Sequence, residues 1–118
     1  MRVVYASGSI SLAALETLVH LNPPMSFTYA VISASFDEAL VEKLPAADLP
    51  PDWAAEPPSP STQRIGDQWA KAGRSAVLQL PSVLVPTESN YLLNPAHPDF
   101  RKMRFGKPEK FAFDPRLL

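Results

Sequence analysis

The chain contains no cysteine, so neither a disulfide framework nor a thiolate metal site is open to it. No apolar run approaches the ~20 residues that a membrane-spanning helix requires. Charge of one sign is not in surplus: the net charge is −1, which argues against a general binder of nucleic acid or of an anionic membrane. Glycine is scarce, 4 residues in all, and Gly8 stands alone in its turn. Phosphate-cradling loops of the P-loop or dinucleotide-fold spacing are therefore absent, as is the Gly-x-Ser-x-Gly elbow of a serine hydrolase. The only histidines, His20 and His97, are not in metal-ligand spacing with each other. Met1-Arg2 followed by apolar residues faintly resembles a signal peptide, but the polar turn, Glu16 and the lack of a small-residue cleavage site speak against one. A cytoplasmic location is the expectation.

What is present fits one domain over residues 1–118, large enough for a core, with 46% hydrophobic residues. Proline is abundant, 14 of 118, which implies many turns and short elements.

The organising stretch is the first. Val3-Val4-Tyr5 favours a strand, Ser7-Gly8-Ser9 is turn chemistry, and Ser9 is placed to cap a helix that runs to Leu21 and stops before Asn22-Pro23-Pro24. Leu12, Leu15, Leu18, Val19 and Leu21 make that helix apolar almost all round, so it is expected to be largely buried. Ser9, Ala13, Glu16 and His20 form one stripe along it. By pattern alone the stripe reads first as the solvated side of a core helix, and second as the floor of a cleft with space beside Ala13.

Phe27–Ala34 reads as the clearest strand and is expected inside a sheet. Phe36–Leu44 is either a strand end or a short helical turn. The Pro-rich stretch from Leu44 to Ser61 reads as a long loop anchored by Trp53, and a polyproline ligand is the alternative. A second helix, capped by Ser61 or Thr62, is expected to reach about Ala72, with Ile65, Trp69 and Ala72 as its buried stripe and Gly73 as its left-handed stop. Ala76–Leu80 is expected as a strand broken by Pro81-Ser82, with Val83-Leu84-Val85 resuming an extended run. Ser82 is the side chain such a break can re-aim, although a serine after proline is usually just part of a turn. Asn90–Asn94 reads as another short strand, and Asn94–Phe100 as a loop tied down by side-chain-to-backbone bonds. The basic run Arg101, Lys102, Arg104, Lys107 and Lys110 reads as a solvated loop rather than a nucleic-acid arm, and Phe111–Phe113 as a last strand. The core is expected to depend on Leu12, Leu15, Val19, Ile32 and Trp69. From the residues alone the result is a small mixed α/β (α+β) domain of unassigned function.

The chain also resembles the RES domain family. The resemblance is carried by Val3-Val4-Tyr5-Ala6-Ser7 with Leu15–His20, Leu49–Trp53, Ile65–Trp69, Pro81–Pro86, Asn90–Pro95 with His97-Pro98, and Asp114–Leu117, in family order. It implies a compact fold related to ADP-ribosyltransferases and the toxin half of a toxin–antitoxin pair. It also implies NAD cleavage at the nicotinamide–ribose bond, with NAD as substrate and no cofactor or metal. The partner implied is an Xre-type helix-turn-helix antitoxin; no membrane or direct nucleic-acid partner is expected, and a homodimer is left open. The alternatives are transfer of ADP-ribose to a protein and a non-catalytic antitoxin-binding remnant.

By the same resemblance the site residues are Glu16, Tyr5 and Ser82, with Tyr5 and Ser82 also binding the NAD. Breaking that bond builds positive charge on the sugar, as in glycoside hydrolysis. Glu16 would stabilise this charge and hold ribose hydroxyls, Tyr5 would pack against the nicotinamide ring, and Ser82 would hydrogen-bond the ring or the ribose. The family's arginine belongs to a Gly-Arg-Trp-like motif upstream of the Tyr5 strand, for which Arg2 is no match. Lying three residues from Tyr5, it would face the other side of that strand. Without that arginine the chain is expected to be a weak or inactive enzyme that keeps its fold.

Overall fold

The computed structural model describes residues 2–20, 28–55 and 60–117. Its centre is a mixed four-stranded sheet built from β1 (Val4–Ser7), β4 (Val41–Lys43), β5 (Val77–Pro81) and β6 (Ser89–Leu93), in the order β1-β6-β5-β4. The first two pairings are antiparallel and β4 runs parallel to β5. Two small antiparallel ribbons flank it: β2 (Tyr29–Val31) with β8 (Glu109–Phe111), and β3 (Ala34–Ser35) with β7 (Arg104–Phe105). With helices α1 (Ile10–His20) and α2 (Pro60–Ala72) this is an α+β domain.

The core follows from the two-residue period of the central strands. Val77 and Leu93 join Leu40, Ala76 and Met103 on one face of the sheet, while their neighbours Leu78 and Leu92 meet Trp69 and Ala70 of α2 on the other. Trp69 is wholly buried, and its indole N–H donates to Ser75 Oγ at 2.7 Å. Ser75 Oγ in turn donates to the Val77 carbonyl at 3.0 Å, so burying the ring leaves no polar atom unpaired there. Gly73 ends α2 at φ 63°, where a side chain would be strained. Ala72 is exposed, so the buried stripe passes through Ala70 instead, and α2 begins at Pro60 with Ser61 and Thr62 already inside it.

Several sequence expectations change. Leu12 of α1 is buried to 1% exposure, but Leu15 at 43% and Val19 at 55% are not, so the helix packs along one narrow line rather than all round. Ile32 is 53% exposed, and the run expected inside a sheet forms the two short ribbon strands instead. The Phe27 end of that run, Leu21–Pro24 and residues 56–59 of the Pro-rich loop fall outside the described residues. Phe36–Leu44 holds both forms weighed for it, a 3-10 turn over Glu38–Leu40 capped by Asp37 and then β4. Among the described residues of the Pro-rich loop Leu49 is buried and Trp53 is half-buried.

Val83-Leu84-Val85 is not a strand. It belongs to the loop joining β5 to β6, closed by the Ser82 N–H on the Glu88 carbonyl at 2.9 Å and the Glu88 N–H on the Val85 carbonyl at 2.8 Å. Asn94 is buried and ties three segments: its Nδ2 donates to the Ala70 carbonyl, its Oδ1 accepts from the Ala96 N–H, and its own N–H meets the Ala76 carbonyl. Beyond it, His97 Nδ1 accepts from the Asp99 N–H at 3.0 Å and caps a 3-10 turn over Pro98–Lys102. Near the end of the chain, the exposed Arg116 guanidinium, with help from its backbone N–H, holds the Asp114 carboxyl below its ordinary value. No described helix is long and apolar enough to cross a membrane.

Candidate active site

The site begins with the turn between β1 and α1. The Gly8 N–H donates to the Ser89 carbonyl at 3.0 Å, and a Cβ at Gly8 would stand 3.3 Å from that oxygen, so the absent side chain lets the turn lie against β6. Ser9 then starts the helix, its Oγ accepting from the Leu12 N–H at 3.1 Å and its carbonyl from the Ala13 N–H at 3.0 Å. Two turns further on, α1 presents Glu16 toward the sheet.

A cleft of about 460 Å³ lies where these elements meet, lined by Tyr5, Ser7, Ala13, Glu16, Thr17 and Asn90 among others. Ala13 and Glu16, the middle of the helix stripe, therefore form cleft wall. Ser9 serves as the helix cap, and the His20 side chain lies outside the described set. The cleft adjoins a wider one of about 830 Å³, which shares Tyr5, Ser7 and Ala13 and extends past β2 toward Lys107 and Phe111. Tyr5 is 80% exposed, a large aromatic face left free at the mouth.

Glu16 is held from two sides. Ser82 Oγ donates to its Oε2 at 3.1 Å, and Asn90 Nδ2 donates to the same oxygen. Among the described residues no donor reaches Oε1. Ser82 is fully buried and is not part of the cleft wall. Its hydroxyl also accepts from the Leu84 and Val85 N–H groups at 3.1 and 3.2 Å, so the loop after Pro81 wraps around this oxygen and aims its proton at the carboxylate.

The structure thus brings Tyr5 and Glu16 to one cleft and sets Ser82 directly behind Glu16. Asn90 was missed as a site residue from sequence. Its one signal was its type, since asparagine is depleted in strands yet stands here in an otherwise strand-like run. Among the described residues no group of three or more histidine, aspartate or glutamate side chains could hold a metal ion. The arrangement offers a fixed anion beside an open aromatic ring, a combination suited to a ligand that carries or develops positive charge.

Comparison with known proteins agrees in extent with this architecture. The RES domain profile matches residues 1–114. A protein of Sphingobium sp. (strain YBL2) named Prs ADP-ribosylating toxin is 43% identical, over 98% of this chain and 74% of its own length. Proteins named Toxin Res from Yersinia enterocolitica and Photorhabdus laumondii are 38% and 39% identical, over 97% and 98% of this chain and 76% and 75% of theirs.

Proposed function

The chain belongs to the RES domain family, and on that footing we propose that it is a toxin that breaks the bond between nicotinamide and ribose in NAD. One observation carries the reading: a carboxylate in a cleft wall, gripped through one oxygen by Ser82 and Asn90, with the other oxygen left for a ligand. In the step proposed, the bonding electron pair leaves with neutral nicotinamide and the ribosyl carbon takes up positive charge. Glu16 stabilises that charge and orients a ribose hydroxyl through Oε1. Tyr5 packs against the nicotinamide ring. Ser82 acts through Glu16, because its proton and its lone pairs are already engaged. NAD is consumed as substrate, so the chemistry calls for no resident cofactor.

An acceptor oxygen then closes on the ribosyl carbon. Water or phosphate as acceptor depletes NAD, whereas a protein nucleophile yields an ADP-ribosylated target. The name of the Sphingobium relative favours that second outcome. The partner that fits a toxin of this family is an Xre-type helix-turn-helix antitoxin acting inside the cell.

The test is incubation with NAD labelled in its adenylate half, with and without cell extract. It is run on the chain as it stands and with an arginine-bearing strand appended ahead of Met1. Loss of NAD with label in small products supports depletion, and label in protein supports transfer. If neither form consumes NAD, the reading is overturned and the non-catalytic alternative takes its place.

A further inference from the structure

Glu16 is oriented by a chain of bonds that starts on a different strand. Ser7 and Asn90 stand opposite each other in the β1–β6 register. Side chains of directly opposed residues lie on the same face of an antiparallel pair, within reach of each other. Ser7 Oγ donates to Asn90 Oδ1 at 2.7 Å, and Asn90 Nδ2 donates to Glu16 Oε2. The carboxylate, which only accepts, settles which way the amide is turned, and the Ser7 hydroxyl holds the amide's other end. With Oδ1 taken by a donor, Nδ2 faces the carboxylate, whereas the reversed amide would set two oxygens against each other. Asn90 and Ser7 both line the cleft, and the hydrogen bonds run in one direction, from Ser7 through Asn90 to Glu16.

Resting on the NAD-cleavage reading, we propose that Asn90, oriented by Ser7, is a positioning residue for that reaction. It acts together with Ser82 to pin Oε2 and so dedicates Oε1 to the substrate. Two donors converging on one carboxylate oxygen from different elements, the β5–β6 loop and β6, remove the freedom of Glu16 to exchange its oxygens. Thr17, the next residue of α1, turns inward on its own helix and donates to the Ala13 carbonyl at 2.8 Å, so it does not compete for this role.

The experiment measures kcat and KM for NAD, together with the thermal midpoint, on whichever form of the protein turns NAD over. The variants are Asn90→Ala, Ser7→Ala and Ser7→Thr, with Asn90→Ala repeated in a Glu16→Gln background. A group held about 1 Å out of place loses on the order of 100-fold in rate. Asn90→Ala is expected to fall in kcat by about that factor with KM little changed. Ser7→Ala loses less, and Ser7→Thr, which keeps the hydroxyl, retains the activity. In the Glu16→Gln background Asn90→Ala adds no further loss, because residues acting as a unit are not additive.

A merely structural Asn90 would lower the thermal midpoint and reduce activity equally in both backgrounds. Unchanged kcat, a loss carried by KM alone, or equal losses in both backgrounds overturns the proposal. Should Asn90→Ala not fold, the contrast between Ser7→Ala and Ser7→Thr decides in the same way. NAD turnover with an insensitive Asn90 defeats only this inference, whereas no turnover by any form defeats the functional reading with it.

Discussion

Ser82 and Glu16 are 66 residues apart in the chain, yet the buried hydroxyl of the first donates to Oε2 of the second at 3.1 Å. A loop residue and a helix residue thereby become one unit, and the loop cannot be altered without consequence for the carboxylate.

Replacing Glu16 by glutamine removes the charge and keeps the shape. NAD turnover should fall by about 100- to 1000-fold, the usual effect of losing one electrostatic catalytic group. The far-ultraviolet circular dichroism should be unchanged. A variant that consumes NAD at the parental rate would remove Glu16 from the reaction.

Ser82→Ala should do two things at once. It takes one donor from Glu16 and the acceptor from the Leu84 and Val85 N–H groups, at about 0.5–1.5 kcal/mol for a lost hydrogen bond in a partly exposed loop. Urea unfolding should report that loss, and turnover should fall further than stability explains. Full stability with full activity would sink the arrangement described for this loop.

The division of the core is checked by a pair of truncations. Trp69→Ala, at a wholly buried position, should destabilise by about 3–5 kcal/mol. Val19→Ala, at a position 55% exposed, should stay within about 0.5 kcal/mol. Denaturant midpoints decide, and comparable losses would mean that the outer face of α1 is covered.

Among the described residues lining the two clefts, the cation is Lys107, a point charge and not a fork. Placing an arginine within reach of the clefts, on a strand ahead of β1, should therefore raise NAD turnover. A bidentate anchor for the phosphates contributes on the order of 2–4 kcal/mol, by analogy with one electrostatic group. That is roughly 30- to 1000-fold in rate. Equal progress curves for the two forms would show that no arginine is limiting.

An Xre-type antitoxin should occupy the same cleft. Co-expression followed by affinity purification on a tag carried by either protein should recover both, and the complex should turn over NAD more slowly than the free chain. Isolation of the chain alone beside a soluble cognate antitoxin would count against that partner.

Local chemistry made the strand–turn–helix at the start legible in advance. Ser9 is a side chain that caps, and the glycine stop of the second helix obeys the same short-range logic. Apolar character misled where it was read without a partner. Leu15, Val19 and Ile32 look like core, but burial depends on which face meets the sheet, and that is a tertiary fact. Val83-Leu84-Val85 has strand propensity, yet two of its N–H groups bond the Ser82 hydroxyl instead of a ladder. Family resemblance singled out Tyr5, Glu16 and Ser82, and the fold brings the three close together. Asn90 was not singled out, because its meeting with Ser7 depends on a strand register that no local pattern encodes.

The bond between Ser7 and Asn90 spans 83 positions of chain, so the strand that carries Ser7 is made well before its partner. Closing so long a segment is entropically slow compared with forming α1, which needs only its own neighbours. A ribosome delivers residues at roughly 5–20 per second, so several seconds separate the emergence of Glu16 from that of its two clamps. During that interval the carboxylate has neither of the donors that aim it in the folded protein. Whatever chemistry the finished site performs, it starts only after Ser82 and Asn90 have followed Glu16 out, a built-in delay during which an inhibitor could dock first.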